Sequence, residues 1–327
     1  MAEQISKKAA EGADILISRC GSVRAGERVL IVCDASTRAV GDLLFQRARA
    51  LTDKSELLVV KEFAMHGEEP PADAAAAMQA ADLCLGVTAK SMAHTAARRA
   101  LSQAGGRYLS LPDYSLELLE DGSLRADFKS RKTATMAVAD AFTQGRRITV
   151  STQAGTDIVL DAGGRTGNCC PGFVSAPGEL GSPPDIEANV SPVETASEGV
   201  VVVDGSIPFP TLGTLKSPVR LTVRQGKIVK MEGAPEVLAE LERLFKTAGS
   251  DKALVLAECG VGLNEKAKLT GTMLTDEGAY GTMHFGFGSN ATVGGVNDVA
   301  FHLDFVFRSP TLTVDGKTVL ERGELRI

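Results

Sequence analysis

At 327 residues the chain is long for a single hydrophobic core, so two domains are expected. Its formal net charge of -6 comes from mixed acidic and basic residues, with no basic footprint for nucleic acid or an anionic membrane. The expected partner is a small molecule or a peptide, with no nucleic acid and no membrane. No apolar run approaches the roughly 18 residues a membrane span requires. The opening Met-Ala-Glu-Gln-Ile-Ser-Lys-Lys has no apolar signal core, which predicts a cytoplasmic protein.

The first half alternates helical and strand patterns. Residues 3–20 read as a helix and 28–34 as a near-continuous apolar strand. A strand at 56–60, a helix at 73–81, a strand at 82–87, a helix at 91–103 and a strand at 107–111 follow. Buried strands alternating with helices predict an open parallel sheet covered on both faces. After the first strand the turn reads Asp34-Ala-Ser-Thr-Arg-Ala, with no dinucleotide fingerprint, so no NAD-type cofactor is inferred. Ser36-Thr37 is expected to cap a helix rather than bind an anion.

A helix at 133–143 is expected to close a first domain of residues 1–145, leaving 146–327 as a second. There the strands come in pairs: 147–151 with 157–161, 220–224 with 227–231 across Gln225-Gly226, and a hairpin at 311–320 around Asp315-Gly316. A strand at 200–207 and one amphipathic helix at 235–247 complete it. The fold class expected is therefore α/β: an N-terminal open parallel α/β domain plus a C-terminal mixed, mostly antiparallel α+β metal-binding domain. Between Asp161 and Asp185 a Gly/Pro-rich stretch reads as a functional lid or a surface wrap. It carries Cys169-Cys170; the six cysteines show no C-x-x-C spacing, and packing in a reducing compartment accounts for them.

The chemistry concentrates near the C-terminus. In Phe301-His302-Leu303-Asp304-Phe305 polar and apolar residues alternate, so a strand presents His302 and Asp304 on one face and buries the other. Around His284 the same alternation sets Phe285 and Phe287 against His284, Gly286 and Gly288, and the glycines leave space above the imidazole. Imidazole and carboxylate side by side suit a borderline divalent cation. An orienting hydrogen-bonded pair with a core histidine is the plain structural alternative. Residues 253–264 read as an apolar strand that ends in Glu258 and a glycine-rich turn; a carboxylate so placed needs a compensating cation. Glu187, Glu194, Asp276 and Glu277 add acidic groups nearby in sequence, enough for a two-metal clamp.

In order and spacing, Ala257-Glu258-Cys-Gly-Val-Gly-Leu-Asn264, Gly271, Asp276-Glu277, Gly281-Thr-Met-His284 and His302-Leu-Asp304 resemble the thermophilic aminopeptidase family of metallopeptidases, the aminopeptidase T type. Ile186-Glu187 with Pro192-Val-Glu194 is similar to that family's Gly-Glu-Val element, although Ile186 replaces its glycine. The resemblance implies a cytoplasmic homodimer with one or two divalent ions (Zn, Co or Mn). It implies Glu187, Glu258, His284, His302 and Asp304 as ligands, with Glu258 bridging and acting in catalysis. Glu277 is expected apart from the resemblance, as an acid/base or supporting carboxylate or as a plain structural group. The leading expectation is an aminopeptidase-like hydrolase that cleaves a small amide or peptide with metal-activated water. Two departures stand against it: Ala291 occupies the position of the peptidases' tyrosine, Tyr280 lying on the wrong side, and the interval from His284 to His302 is short. A branch of the same family, similar to 2,5-dihydroxypyridine dioxygenases, implies the alternative: a mononuclear Fe(II) ring-opening enzyme with His284, His302 and Asp304 as its triad. A metal-binding scaffold without catalysis is the third reading.

Overall fold

The computed structural model describes residues 5–327; the start of the first predicted helix at Glu3 lies outside them. The chain forms two compact units, one running to Phe128 and including Gly172–Pro183, the other made of Lys129–Pro171 and Pro184–Ile327. The predicted division at 145/146 thus falls one helix late. Helix Phe128–Gln144 packs with the second unit. A Cβ on Gly167 would lie 2.2 Å from the Ala139 carbonyl oxygen, and the Gly167 amide donates to Thr143 Oγ1 at 2.8 Å.

In the first unit five parallel strands lie in the order Ser55–Val59, Val29–Cys33, Leu83–Val87, Arg107–Ser110, Leu180–Gly181. The central Val29–Cys33 and Leu83–Val87 are buried throughout, as apolar runs covered on both faces must be. Helix Lys7–Ile15 precedes the first strand, and helices Arg38–Arg49, Ala72–Ala80 and Ala96–Gln103 connect the four strands that follow one another in the chain. The helix expected at 91–103 begins at Ala96, where the Thr95 hydroxyl caps it by accepting from the Arg98 amide. The Ser36-Thr37 expectation needs correction too. Helix Arg38–Arg49 has no side-chain cap bond. Asp34 instead holds the turn, accepting from the amides of Ser36 and Thr37 at 3.1 and 3.2 Å and from the Ala89 amide at 2.6 Å.

The second unit holds two antiparallel sheets. The eight-stranded one contains the hairpins Arg147–Ser151/Asp157–Asp161, Val219–Arg224/Lys227–Glu232 and Thr311–Val314/Lys317–Glu321. Gln225-Gly226 and Asp315-Gly316 take positive φ at 47° and 73° and at 48° and 80°, the geometry a two-residue hairpin turn demands. The strand predicted at 200–207 is split. Glu198–Val203 stays in this sheet, while Ser206–Ile207 joins the other, because Gly205 comes so close to strand His302–Arg308 that its Cβ would lie 2.6 Å from the Val306 oxygen.

The seven-stranded sheet runs in the order Gly213–Thr214, Ser206–Ile207, His302–Arg308, Thr282–Gly288, Leu256–Gly262, Glu187–Val190, Asn168–Cys170. Its apolar face is densely aromatic: Phe285 pairs with Phe305 and Phe287 with Leu303 across the strands, and Phe285–Phe307 and Phe287–Phe305 ring centroids stand 5.1 and 5.4 Å apart. Each such phenylalanine contributes about 1.5–3 kcal/mol by burial, which anchors the strands that carry charged groups on the opposite face. The Gly/Pro-rich stretch is neither lid nor wrap. It supplies an edge strand to each unit, Asn168–Cys170 to the second and Leu180–Gly181 to the first, and Cys169 and Cys170 sit on the former.

Candidate metal centre

Residues directly opposite one another in antiparallel strands project to the same face. Here the registers are Asp304 to Gly286, Gly286 to Glu258, His284 to Gly260, Gly260 to Asn189, and Gly262 to Glu187. His302 lies opposite Gly288. One face of four neighbouring strands therefore gathers Glu187, Glu258, His284, His302 and Asp304, separated by glycines. Glu258 is in the middle of strand Leu256–Gly262, not at its end, because Gly260 and Gly262 let the strand continue against its neighbours. A Cβ on Gly260 would lie 2.1 Å from the His284 ring, and one on Gly286 would lie 2.6 Å from His302 Nε2.

The cluster forms two groups of mutually adjacent ligand atoms, Glu187–Glu258–His284 and Glu258–His302–Asp304, joined by Glu258. His284 Nε2 is 3.2 Å from Glu187 Oε2 and 3.9 Å from Glu258 Oε1; His302 Nε2 is 3.4 Å from Glu258 Oε2 and 3.2 Å from Asp304 Oδ1. All but His302 are buried, and that side chain is 33% exposed, so the face opens at its edge.

The residues fit a cation. Glu187 Oε2 and both ring nitrogens of His284 are buried without a hydrogen-bond partner, which is costly unless something else bonds them. His302 Nδ1 lies 2.9 Å from the Ser289 carbonyl oxygen, an acceptor, so Nδ1 carries a proton and Nε2 is the ring atom that faces the carboxylates and would bond a cation there. Oxygen and imidazole nitrogen donors suit iron, zinc, cobalt or manganese.

Electrostatics point the same way. Burial would raise the Glu258 pKa, but the two imidazoles hold it down to about 2. At Glu187 burial wins over His284 and pushes the carboxyl up to about 7. His284, which burial alone would lower, is raised to about 9 by Glu187, Glu258 and Asp304. Without a metal, protons do the compensating.

Glu277 follows the short helix Met273–Asp276, and its carboxyl lies against Asp304; burial and the charges of Asp304, Glu187 and Asp185 push its pKa far up. Asp276, its neighbour, serves the scaffold, accepting from Ser206 Oγ, the Thr270 amide and the Gly271 amide. Glu194 also lies outside the ligand groups, paired with Arg165 at 2.5 Å. Tyr280 is committed elsewhere: its hydroxyl accepts from the Leu325 amide and donates to Glu324. Two site residues escaped the sequence reading. Asp185 is buried with Oδ1 unpartnered, and burial together with Glu187, Glu258 and Asp304 raises its pKa well above the ordinary range. Asn189 donates to Glu187 Oε1 at 2.7 Å. The signal was present in Asp185-Ile-Glu187-Ala-Asn189-Val, whose alternation puts Glu187 and Asn189 on one face of strand Glu187–Val190 and sets Asp185 two residues ahead of it.

This fold and this buried histidine–carboxylate cluster define a metal-binding α/β enzyme. The chain belongs to the NicX family, described as 2,5-dihydroxypyridine 5,6-dioxygenase, whose model matches residues 17–327. Among solved structures it is similar to the 2,5-dihydroxypyridine dioxygenase from Pseudomonas putida KT2440, with a TM-score of 0.82 and 21% identity over 97% of this chain and 96% of that one. It is also similar to AmpT from Thermus thermophilus, with a TM-score of 0.70 and 15% identity over 98% and 99%. At these identities both likenesses show the fold alone. No curated protein matches by sequence. The family favours the dioxygenase alternative over the hydrolase expectation, which retains only the more distant structural likeness. Among the described residues no helix is long and apolar enough to cross a membrane.

Proposed function

We propose that this chain is an Fe(II)-dependent dioxygenase that opens a dihydroxylated pyridine ring between the carbons numbered 5 and 6. The observation that carries the reading is the family match across residues 17–327, joined to a two-histidine, carboxylate-rich cluster on one buried sheet face. His284, His302 and Asp304 would hold the ion, with Glu258 in reach of both imidazoles. Fe(II) bound there would supply the redox centre through which dioxygen can react with a ring that it otherwise oxidises slowly.

The protein's own part is positioning and proton handling. Glycines 260 and 286 clear the face for the imidazoles of His284 and His302 themselves, which sets where a substrate ring can meet them. The neighbouring phenylalanines 285 and 287 point into the core, so ring recognition rests on polar groups. Glu277, whose pKa burial and the charge of Asp304 raise, favours its protonated form against Asp304 and is placed to exchange a proton with a ring hydroxyl. The partly exposed His302 edge is the route of entry. The expected functional form is a homodimer, which light scattering would test.

A second reading has one specific observation in its favour. Two ligand groups sharing Glu258 match a two-metal clamp, the arrangement by which a hydrolase activates water against an amide. The deciding experiment loads protein prepared without oxygen with Fe(II) and follows dioxygen uptake and ring absorbance with 2,5-dihydroxypyridine. Uptake equal to ring loss supports the dioxygenase. No uptake, with amide cleavage by the zinc-, cobalt- or manganese-loaded chain, supports the hydrolase.

A further inference from the structure

We propose that Asn168 and Asn189 form a positioning relay that aims the Glu187 carboxylate at the cation and ties it to the segment between His284 and His302. The inference rests on a cation held by the group Glu187–Glu258–His284, the half of the cluster that the second reading above adds to the triad.

Strand Glu187–Val190 lies between Leu256–Gly262 and the three-residue edge strand Asn168–Cys170. Asn168 is opposite Asn189, so both amides share the face that carries Glu187. Hydrogen-bond chemistry fixes the direction of the chain. A carboxylate can only accept, so Asn189 must turn Nδ2 toward Glu187 Oε1, at 2.7 Å. Its Oδ1 then faces Asn168, which must donate through Nδ2, at 2.8 Å. The same Asn168 Nδ2 lies 3.2 Å from the Val293 carbonyl oxygen, which also requires a donor. Three contacts are satisfied by one orientation of the two amides.

The consequence for Glu187 is specific. One oxygen is held by a neutral donor, and the other, Oε2, is buried, unpartnered and 3.2 Å from His284 Nε2. A lysine or arginine in place of Asn189 would compete with a cation for the charge; an amide orients the carboxylate and leaves its charge available. The far end of the relay is equally well anchored. Arg165 Nη1 donates to the Gly294 carbonyl oxygen at 2.7 Å, and Glu194 accepts from Asn290 Nδ2 at 2.9 Å and the Val296 amide at 2.8 Å. The same segment begins at Ser289, whose carbonyl oxygen fixes His302. One braced segment therefore sets a ligand in each of the two groups.

The test is Co(II) titration of the metal-free full-length protein, followed by calorimetry and by the visible absorption that reports the ion's ligand geometry. Wild type, N168A, N189A, E187Q and N168A/E187Q are compared, with circular dichroism to verify folding. The relay predicts about 10-fold weaker binding for N189A and for N168A and an altered cobalt spectrum in each. It also predicts that N168A has no further effect in the E187Q background, because the two act through one carboxylate. Asn168 lies on an edge strand, so N168A carries the test if N189A does not fold. Wild-type affinity in N168A beside weakened binding in E187Q would overturn the relay alone, as would additive losses in the double variant. Unchanged affinity in E187Q would overturn the cation's place at Glu187, and the relay's purpose with it.

Discussion

Gly260 stands directly across the strand pair from His284, so close that a Cβ there would lie 2.1 Å from the imidazole Nε2. The glycine makes room for the ring that the cluster is built around. Gly260→Ala is therefore expected to displace His284, to cost about 1–3 kcal/mol of stability as an overpacked site, and to weaken cation binding. Thermal melts with and without added Co(II) would measure both. Equal melting and equal cobalt affinity in the variant would mean that the imidazole has slack the packing denies.

Glu258 is the only residue common to both ligand groups. Glu258→Gln keeps its shape and removes its charge, and should cut cation affinity more than Glu187→Gln or Asp304→Asn, each of which touches one group. Calorimetry on the three variants ranks them. A ranking with Glu258→Gln least affected would take this residue out of the coordination sphere.

Chelation should destabilise the second unit specifically, since all five candidate ligands belong to it. A cation held at 100 times its dissociation constant adds about 2.7 kcal/mol to the stability of the state that binds it. Calorimetric scans before and after chelator treatment should move one transition and leave the other. Coincident scans would contradict cation binding by the folded cluster.

The metal-free protein should lose stability as pH rises. His284 holds its proton to about 9 in the folded chain against 6.5 as its ordinary value, so the folded state binds the extra proton between those limits. That contribution is complete below pH 6.5 and is lost as the pH passes 9. Glu187, raised from 4.5 to about 7, adds a loss of the same sign at lower pH, whereas Glu258, lowered to about 2, affects only strongly acidic conditions. A cation competes with those protons, so its affinity should increase over the same range. Urea melts of apo protein from pH 6 to 9 check the first statement, and Co(II) titrations check the second. Apo stability that climbs through this range would refute the assignment of the protons.

Much of the site was legible because sheet periodicity is local. The alternation in 301–305 and 282–288 assigns His284, His302 and Asp304 to a face without knowledge of the rest of the chain. Glu258 was found but set at a strand end, since Gly260 and Gly262 read as a turn until their close neighbours, His284 and the Ala279 carbonyl oxygen, are known. The stretch 162–186 was opaque for the same kind of reason. Strands of three and two residues owe their form to the strands they pair with, and Asn-Cys-Cys carries no intrinsic strand signal. The first-domain sheet was visible in its apolar runs, but its fifth strand returns from beyond residue 171, which no local pattern announces.

The most direct measurement of the central claim is the origin of the oxygen atoms in the product. The Fe(II)-loaded protein would be given 2,5-dihydroxypyridine under oxygen-18 gas and the product weighed by mass spectrometry. Two heavy atoms per opened ring are expected if both atoms of dioxygen enter at the broken bond. An intact ring, or a product whose new oxygen comes from water, would contradict the account.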